Sequence, residues 1–275
     1  MKLIYSLAIR MYLLGIYISS LFDKKARLWL NGRRQLYKRL HEAIDRRNKI
    51  IWFHAASLGE FEQGRPVMDT IRRNYPELKI LLTFFSPSGY EIRKNYQGAD
   101  YVFYLPIDFR RRAARFVNIV NPHRVFFIKY EYWYHYLKIL NEKKIPVYLI
   151  SAIFRKKQLF FRWYGNWYRK MLGCFTHIFV QNEESLELLN RYGLEHASLS
   201  GDTRFDRVAD IARQTKSIDI AERFCHDHTV VICGSTWIKD EEILIKYINR
   251  SDSLLKFIIA PHEINPSHIS KIISA

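Results

Sequence analysis

The chain has 275 residues, 48% of them hydrophobic, and carries 44 Lys and Arg against 27 Asp and Glu, a net charge of +17. That apolar content excludes an intrinsically disordered chain and allows one large domain or two of ordinary size. The positive excess calls for an anionic partner: nucleic acid, an acidic membrane, or a phosphorylated or carboxylated substrate.

Residues 3–22 are mostly apolar, interrupted by Arg10, Gly15 and a few serines. Their length suits a bilayer span, although Arg10 makes the segment marginal. No A-x-A-like site follows, so a removed signal peptide is not expected. A basic flank does follow, from Lys24 to Lys49, opposed only by Asp23, Glu42 and Asp45. Positive charge beside an apolar segment marks the cytoplasmic side and attracts anionic headgroups. A membrane anchor or interfacial helix, with its basic flank making up residues 1–49, is therefore preferred to a helix merely packed on a domain surface.

From residue 50 strand-like and helix-like segments alternate. Strands are predicted at 50–55, 79–84, 101–105, 124–129, 146–151, 177–181 and 197–200, with helices at 108–120, 133–143, 160–172 and 183–192. Near-continuous apolar strands such as Val125-Phe126-Phe127-Ile128 suit a parallel sheet covered on both faces, the pattern of a doubly wound α/β domain. Neither G-x-G-x-x-G nor G-x-x-x-x-G-K-[ST] occurs. Residues 206–228 are polar and read as a helix or linker. A second alternating unit starts at Thr229, and two βα units are too few to cover both faces of a sheet, so this unit reads as cut short.

Within this frame Trp52 to Glu60, W-F-H-A-A-S-L-G-E, is the most informative stretch. It ends a buried strand and hands over to a helix carrying Phe61, Val67, Met68 and Ile71, which puts Glu60 at the carboxyl edge of the sheet, where ligands bind in open α/β folds. A carboxylate there can be a general base, or can simply favour a helix N-terminus. Other polar residues fall on the same edge: Thr83 and Ser86, Asp108, Lys129, Glu131 and His135, Ser151 and Arg155, Gln181, Asp202 and Arg204. The segment 154–171 interleaves aromatic and basic residues. A lipid interface is ranked first for it, core packing second and single-stranded nucleic acid last.

The three cysteines, Cys174, Cys225 and Cys233, form no C-x-x-C pair, which fits a reducing compartment rather than a disulfide framework. The run Cys225-His226-Asp227-His228 has metal-binding residue types but no second ligand cluster, so no metal site is read there.

Taken together the motifs resemble the 3-deoxy-D-manno-octulosonic acid (Kdo) transferases of lipopolysaccharide assembly. Those carrying the resemblance are HAASLGE (54–60), TFFSPSG (83–89), LPID (105–108), EYW (131–133), QNEES (181–185), GDTRFD (201–206), GST (234–236) and Pro261-His262. The resemblance implies a GT-B-type glycosyltransferase of two Rossmann-like domains, the second incomplete here. An acceptor-side domain would span 50–208, a linker 209–228, and the start of a donor domain 229–275. Such an enzyme inverts the anomeric centre of CMP-Kdo as it transfers Kdo to a lipid A precursor of the lipid IVA type, at the cytoplasmic face of the inner membrane.

By the same resemblance Glu60 is the general base and Glu131 and Arg204 stabilise the transition state. Gly234, Ser235, Thr236, Pro261 and His262 take the CMP moiety. No metal or other cofactor is expected and no nucleic-acid partner; the oligomeric state is left open. Lys129 and His135 depart from the Glu and Asn that the family often has around E-x-W. The family's later glycine-rich and acidic donor motifs do not occur in this chain. The alternative reading is a non-catalytic, membrane-associated acceptor-domain fragment that binds anionic lipid.

Overall fold

The computed structural model describes residues 1–213, 217–251 and 255–275. Two compact units divide the chain, residues 1–213 and 214–275.

The first unit is built on seven parallel strands: β1 (Ile50–Ala55), β2 (Lys79–Phe84), β3 (Tyr101–Tyr104), β4 (Arg124–Ile128), β5 (Val147–Ala152), β6 (His177–Val180) and β7 (Ala197–Leu199), in the order β3-β2-β1-β4-β5-β6-β7. Each predicted strand is present, with ends displaced by at most one residue. All six residues of β1 are buried, because successive side chains enter two different cores. Trp52 faces a cluster that includes Phe116, Phe127 and Tyr136, and its ring lies 4.9 Å from that of Phe116. Ile51 and Phe53 face the other, with Phe61, Met68, Leu82 and Phe84. Helices cover both faces, as continuous apolar strands require.

The helix after β1, α4 (Leu58–Asn74), lies close against the sheet. At Gly64 a Cβ would stand 2.2 Å from Ile128 Cδ1, so only glycine allows this approach. The helices α6 (Arg110–Val120) and α7 (Tyr134–Glu142) supply Phe116 and Tyr136 to the opposite core. Further along, α9 (Glu183–Arg191) follows β6 and α10 (Thr203–Arg213) follows β7.

One expectation changes with the structure and one gains detail. The basic flank is folded, since α2 (Lys24–Asn31) and α3 (Leu36–Ala43) bury Trp29, Leu36 and Leu40, while most of its Lys and Arg side chains stay exposed. In the aromatic-basic segment, Phe154, Phe160 and Phe161 are buried, whereas Trp163 is 93% exposed. Core packing therefore accounts for most of the aromatic signal that was ranked first as a lipid interface. The segment is also not one helix; a single 3-10 turn (Leu159–Phe161) precedes a helix over Asn166–Leu172.

The N-terminal helix α1 (Lys2–Ser19) contributes no fully buried residue but is docked. Residues 5, 9, 13 and 16, spaced by helical turns, are half-buried. Tyr5 and Ser6 reach Asp108 and His135, and Tyr12 stacks on Phe85 at 6.0 Å. The other face exposes Leu7, Met11, Leu14 and Ile18.

The second unit contains α11 (Asp219–Cys225), parallel strands β8 (Thr229–Thr236) and β9 (Leu255–Pro261), and helices α12 (Ile238–Ile248) and α13 (Pro266–Ser274). The stretch expected as a linker thus holds the end of α10 and all of α11. Ile232 of β8 is 71% exposed, as a two-stranded sheet cannot cover both its faces.

Candidate functional site

The strand order reverses between β1 and β4, because the chain builds β1-β2-β3 outward and then returns to place β4 on the other side of β1. Such switch points leave a crevice at the carboxyl ends of the strands, where ligands bind. Glu60 follows β1 and Glu131 follows β4, so the two carboxylates flank it.

Glu60 occupies the first turn of α4, half-buried, and its carboxylate accepts the Ser57 hydroxyl. Ser57 and Glu60 have the S-x-x-E spacing of a capping box, yet the Ser57 hydroxyl caps no backbone N–H. The Glu60 carboxylate is thus engaged by one hydroxyl at the N-terminus of α4.

Glu131 is 4% exposed. His54 Nε2 lies 2.9 Å from its carboxylate, and the Trp133 indole N–H donates to the same oxygen. A carboxylate can only accept, so Nε2 carries the proton and the Trp133 N–H is directed to Glu131 rather than to the ring 3.2 Å away. On the other side His54 Nδ1 is 2.9 Å from Thr83 Oγ1, which also accepts the Trp52 indole N–H at 2.7 Å. The chain Trp52–Thr83–His54–Glu131–Trp133 therefore links β1, β2 and the loop after β4 across the switch point. Satisfied throughout, such a buried network holds Glu131 in one orientation.

Arg204 stands in the first turn of α10 with an exposed side chain, and its Nε donates to Asp202 at 2.9 Å. The guanidinium holds the Asp202 carboxyl below the usual carboxylate range. The local pair anticipated from sequence is present. Its helix is tied to α4, since Thr203 Oγ1 donates to the Gln63 carbonyl at 2.6 Å. Lys129 and Ser151, at the ends of β4 and β5, have φ of +70° and +54°. Left-handed backbone at non-glycine residues is strained and concentrates at functional edges.

Asp108 is fully buried at the same edge. It accepts the Tyr5 hydroxyl at 2.6 Å and the backbone N–H of His135 and Tyr136 at 3.0 and 3.1 Å. It thereby joins α1 to the N-terminus of α7. Burial pushes its carboxyl up to about 6, against the pull of these three donors.

In the second unit the candidate donor residues come together. Gly234 pairs with Ala260 and Thr236 with Pro261 at the carboxyl ends of β8 and β9. Ser235, with φ +57°, brings its hydroxyl 3.0 Å from His262 Nδ1, and the His262 backbone N–H donates to the Thr236 carbonyl at 2.9 Å. His262 stacks on Trp237 at 4.2 Å. Beneath them Glu241, 4% exposed, accepts the Thr236 hydroxyl at 2.9 Å and lies 3.0 Å from His268 Nε2.

His54, Trp133 and Glu241 have no role legible from sequence alone. A polar residue inside an apolar strand was the available signal for His54, and an acidic residue amid the isoleucines of α12 was that for Glu241.

The first unit is a doubly wound α/β domain with a polar switch point, and the chain has the architecture of the GT-B class. A solved neighbour of that architecture is a UDP-GlcNAc 2-epimerase from Neisseria meningitidis, crystallised with UDP-GlcNAc. It is 15% identical, covers 82% of this chain and 68% of its own, and superposes with a TM-score of 0.56, a likeness of fold alone.

Residues 30–207, more than half of the chain, match the family model of the 3-deoxy-D-manno-octulosonic-acid transferases (kdotransferases). The chain belongs to that family. Among its relatives, the 3-deoxy-D-manno-octulosonic acid transferase of Aquifex aeolicus is 25% identical over 83% of this chain and 59% of its own length. That of Rickettsia bellii is 28% identical over 72% and 48%. The chain spans about half the length of the curated relatives it matches.

Proposed function

We propose that the chain takes part in moving Kdo from CMP-Kdo to a lipid A precursor of the lipid IVA type, an inverting transfer in lipopolysaccharide biosynthesis. The setting is the cytoplasmic face of the inner membrane. The observation that carries this reading is the pair of carboxylates, Glu60 and Glu131, flanking the switch point of a domain that belongs to the Kdo transferase family.

Glu60 takes the proton of the acceptor hydroxyl as its oxygen attacks the anomeric carbon of Kdo. The bond from that carbon to the CMP phosphate breaks, and CMP leaves with the electron pair. Glu131, held by His54 and Trp133, offers fixed negative charge to the positive character that develops at the sugar. Arg204, exchanging Asp202 for phosphate, stabilises the leaving group more in the transition state than in the ground state. The turn Gly234-Ser235-Thr236 with Pro261 and His262 receives the CMP moiety. In this reading the transfer is metal-independent, with Arg204 taking the phosphate charge.

The test is CMP release and mass gain of the acceptor, for the chain and for Glu60→Gln. The substitution keeps size and hydrogen bonding but removes the base. Turnover is expected to fall by about 10²–10⁴ while both substrates still bind. Near-normal turnover would remove Glu60 from the chemistry. Failure of the unsubstituted chain to bind either substrate would overturn the functional reading itself.

A further inference from the structure

Beneath α1 lies a cavity of about 270 Å³ that the transfer reaction does not use. Its wall includes Leu13 and Tyr17 of α1, Trp29 of α2, and three guanidinium groups, those of Arg33, Arg34 and Arg112. No acidic residue lines it.

Arg33 is packed over Trp29, 3.6 Å from the ring centroid, and over Tyr104 at 4.7 Å. Its guanidinium donates to the backbone carbonyls of Trp29, Phe85 and Leu105 at 2.8–3.0 Å. These use three of its five N–H bonds, and none of the acceptors is charged. Burial lowers its pKa to about 9. Arg34 and Arg112 are exposed, and the ion pairs among the described residues include neither. The indole N–H of Trp29, itself 5% exposed, is buried without an acceptor. The lining thus carries three positive charges and no negative one, and the Trp29 N–H lacks an acceptor where burial makes that costly.

The occupant must therefore be an anion. The apolar part of the wall decides which kind. Leu13 and Tyr17 belong to the helix whose outward face is a stripe of exposed Leu7, Met11, Leu14 and Ile18, a surface suited to the headgroup boundary of a bilayer. A lipid arriving at that stripe would bring an acyl chain to Leu13 and a phosphate to the guanidinium cluster.

We propose that this cavity is a binding site for the phosphate of an anionic membrane phospholipid, held by Arg33, Arg34 and Arg112 and flanked by α1. The site is separate from the switch point and does not depend on the transferase reading. It converts general attraction of a basic chain to a membrane into recognition of one headgroup in a fixed place.

Two measurements on the full chain test it. The first is calorimetry with soluble dihexanoyl phosphatidylglycerol, and separately with inorganic phosphate. Saturable binding of one lipid per chain is expected, with phosphate alone at least tenfold weaker. Equal binding of free phosphate would overturn the assignment to a lipid. The second is flotation with phosphatidylcholine vesicles, plain or with one quarter phosphatidylglycerol. The double variant Arg34→Ala/Arg112→Ala is compared with Lys24→Ala/Lys25→Ala, which removes the same charge at the exposed start of α2. The first double is expected to lose the preference for phosphatidylglycerol at least tenfold more than the second. Equal losses would mean diffuse electrostatics only and would overturn the site. Arg33 is left intact because its backbone bonds are part of the fold, so a loss of binding cannot be confused with unfolding.

Discussion

At the scale of single residues, the informative groups are those whose charge is taken out of water. Glu131 is one such case, and its carboxylate meets His54 Nε2 and the Trp133 indole N–H. Asp108 is different, since only neutral groups solvate it and its carboxyl is pushed up to about 6. The consequence for stability has a definite sign. Raised in the folded state, this group contributes stability that is fully present below the unfolded value of about 4 and is lost as the pH rises through about 6. Across that window the contribution is of order 2–3 kcal/mol. Urea unfolding of the chain and of Asp108→Asn, between about pH 7 and pH 4, should show the unsubstituted chain gaining on the variant as the pH falls. A constant gap across the range would show that Asp108 titrates normally.

Among elements, the contact that sets the site is that of α4 on β4. Glu60 is carried by α4 and Glu131 follows β4, so their relative placement depends on how closely helix and strand approach. Gly64 makes that approach possible, with Ile128 Cδ1 2.2 Å and Cγ1 2.9 Å from where a Cβ would stand. Gly64→Ala should cost about 1–3 kcal/mol through overlap, against about 1 kcal/mol gained from helix propensity. Ile128→Val removes the nearer of the two atoms. The pair should therefore couple, the double variant being more stable than the sum of the singles by about 0.5–1 kcal/mol. Simple additivity in thermal or urea melts would mean that the helix shifts freely and the contact decides little. If the helix is instead forced outward, turnover should drop in the single Gly64→Ala variant and partly return in the double.

For the molecule as a whole, the proposed membrane setting turns on how α1 is held. Half-buried positions run along one side of the helix, from Tyr5 to Ile16, and tie it to the carboxyl edge of the sheet. A helix docked along most of its length lies in the plane of an interface more readily than it crosses one. Replacing Leu7, Met11, Leu14 and Ile18 with Gln should abolish cosedimentation with phosphatidylglycerol vesicles, because each side chain contributes about 1.5–3 kcal/mol when buried in lipid. Unfolding free energy should change by less than about 1 kcal/mol, as all four side chains are more than half exposed. A large loss of stability would instead show that the stripe is covered by protein. Point changes are preferable here to removal of the segment, which would also strip the Tyr5 hydroxyl from Asp108.

The amino-acid sequence by itself determined the alternation of strands and helices, the parallel sheet, and the carboxyl-edge positions of Glu60 and Glu131. Those features follow from periodicities of two and 3.6 residues and from the burial that continuous apolar strands demand. The motifs that point to the family lie at carboxyl ends of strands within each unit and were legible for the same reason, each being a short run of neighbouring residues. Tertiary structure alone decided that Phe154, Phe160 and Phe161 are core, that the basic flank packs on the sheet, and that α1 docks through Tyr5. It alone decided that His54 serves Glu131 and that Arg33, Arg34 and Arg112 line one cavity with no acidic residue. Hydrophobic patterning states that a face must be covered, not by what, and the partner is often distant in sequence. Trp133 reaches His54 across 79 positions and Tyr5 reaches Asp108 across 103, so no local pattern could have paired them.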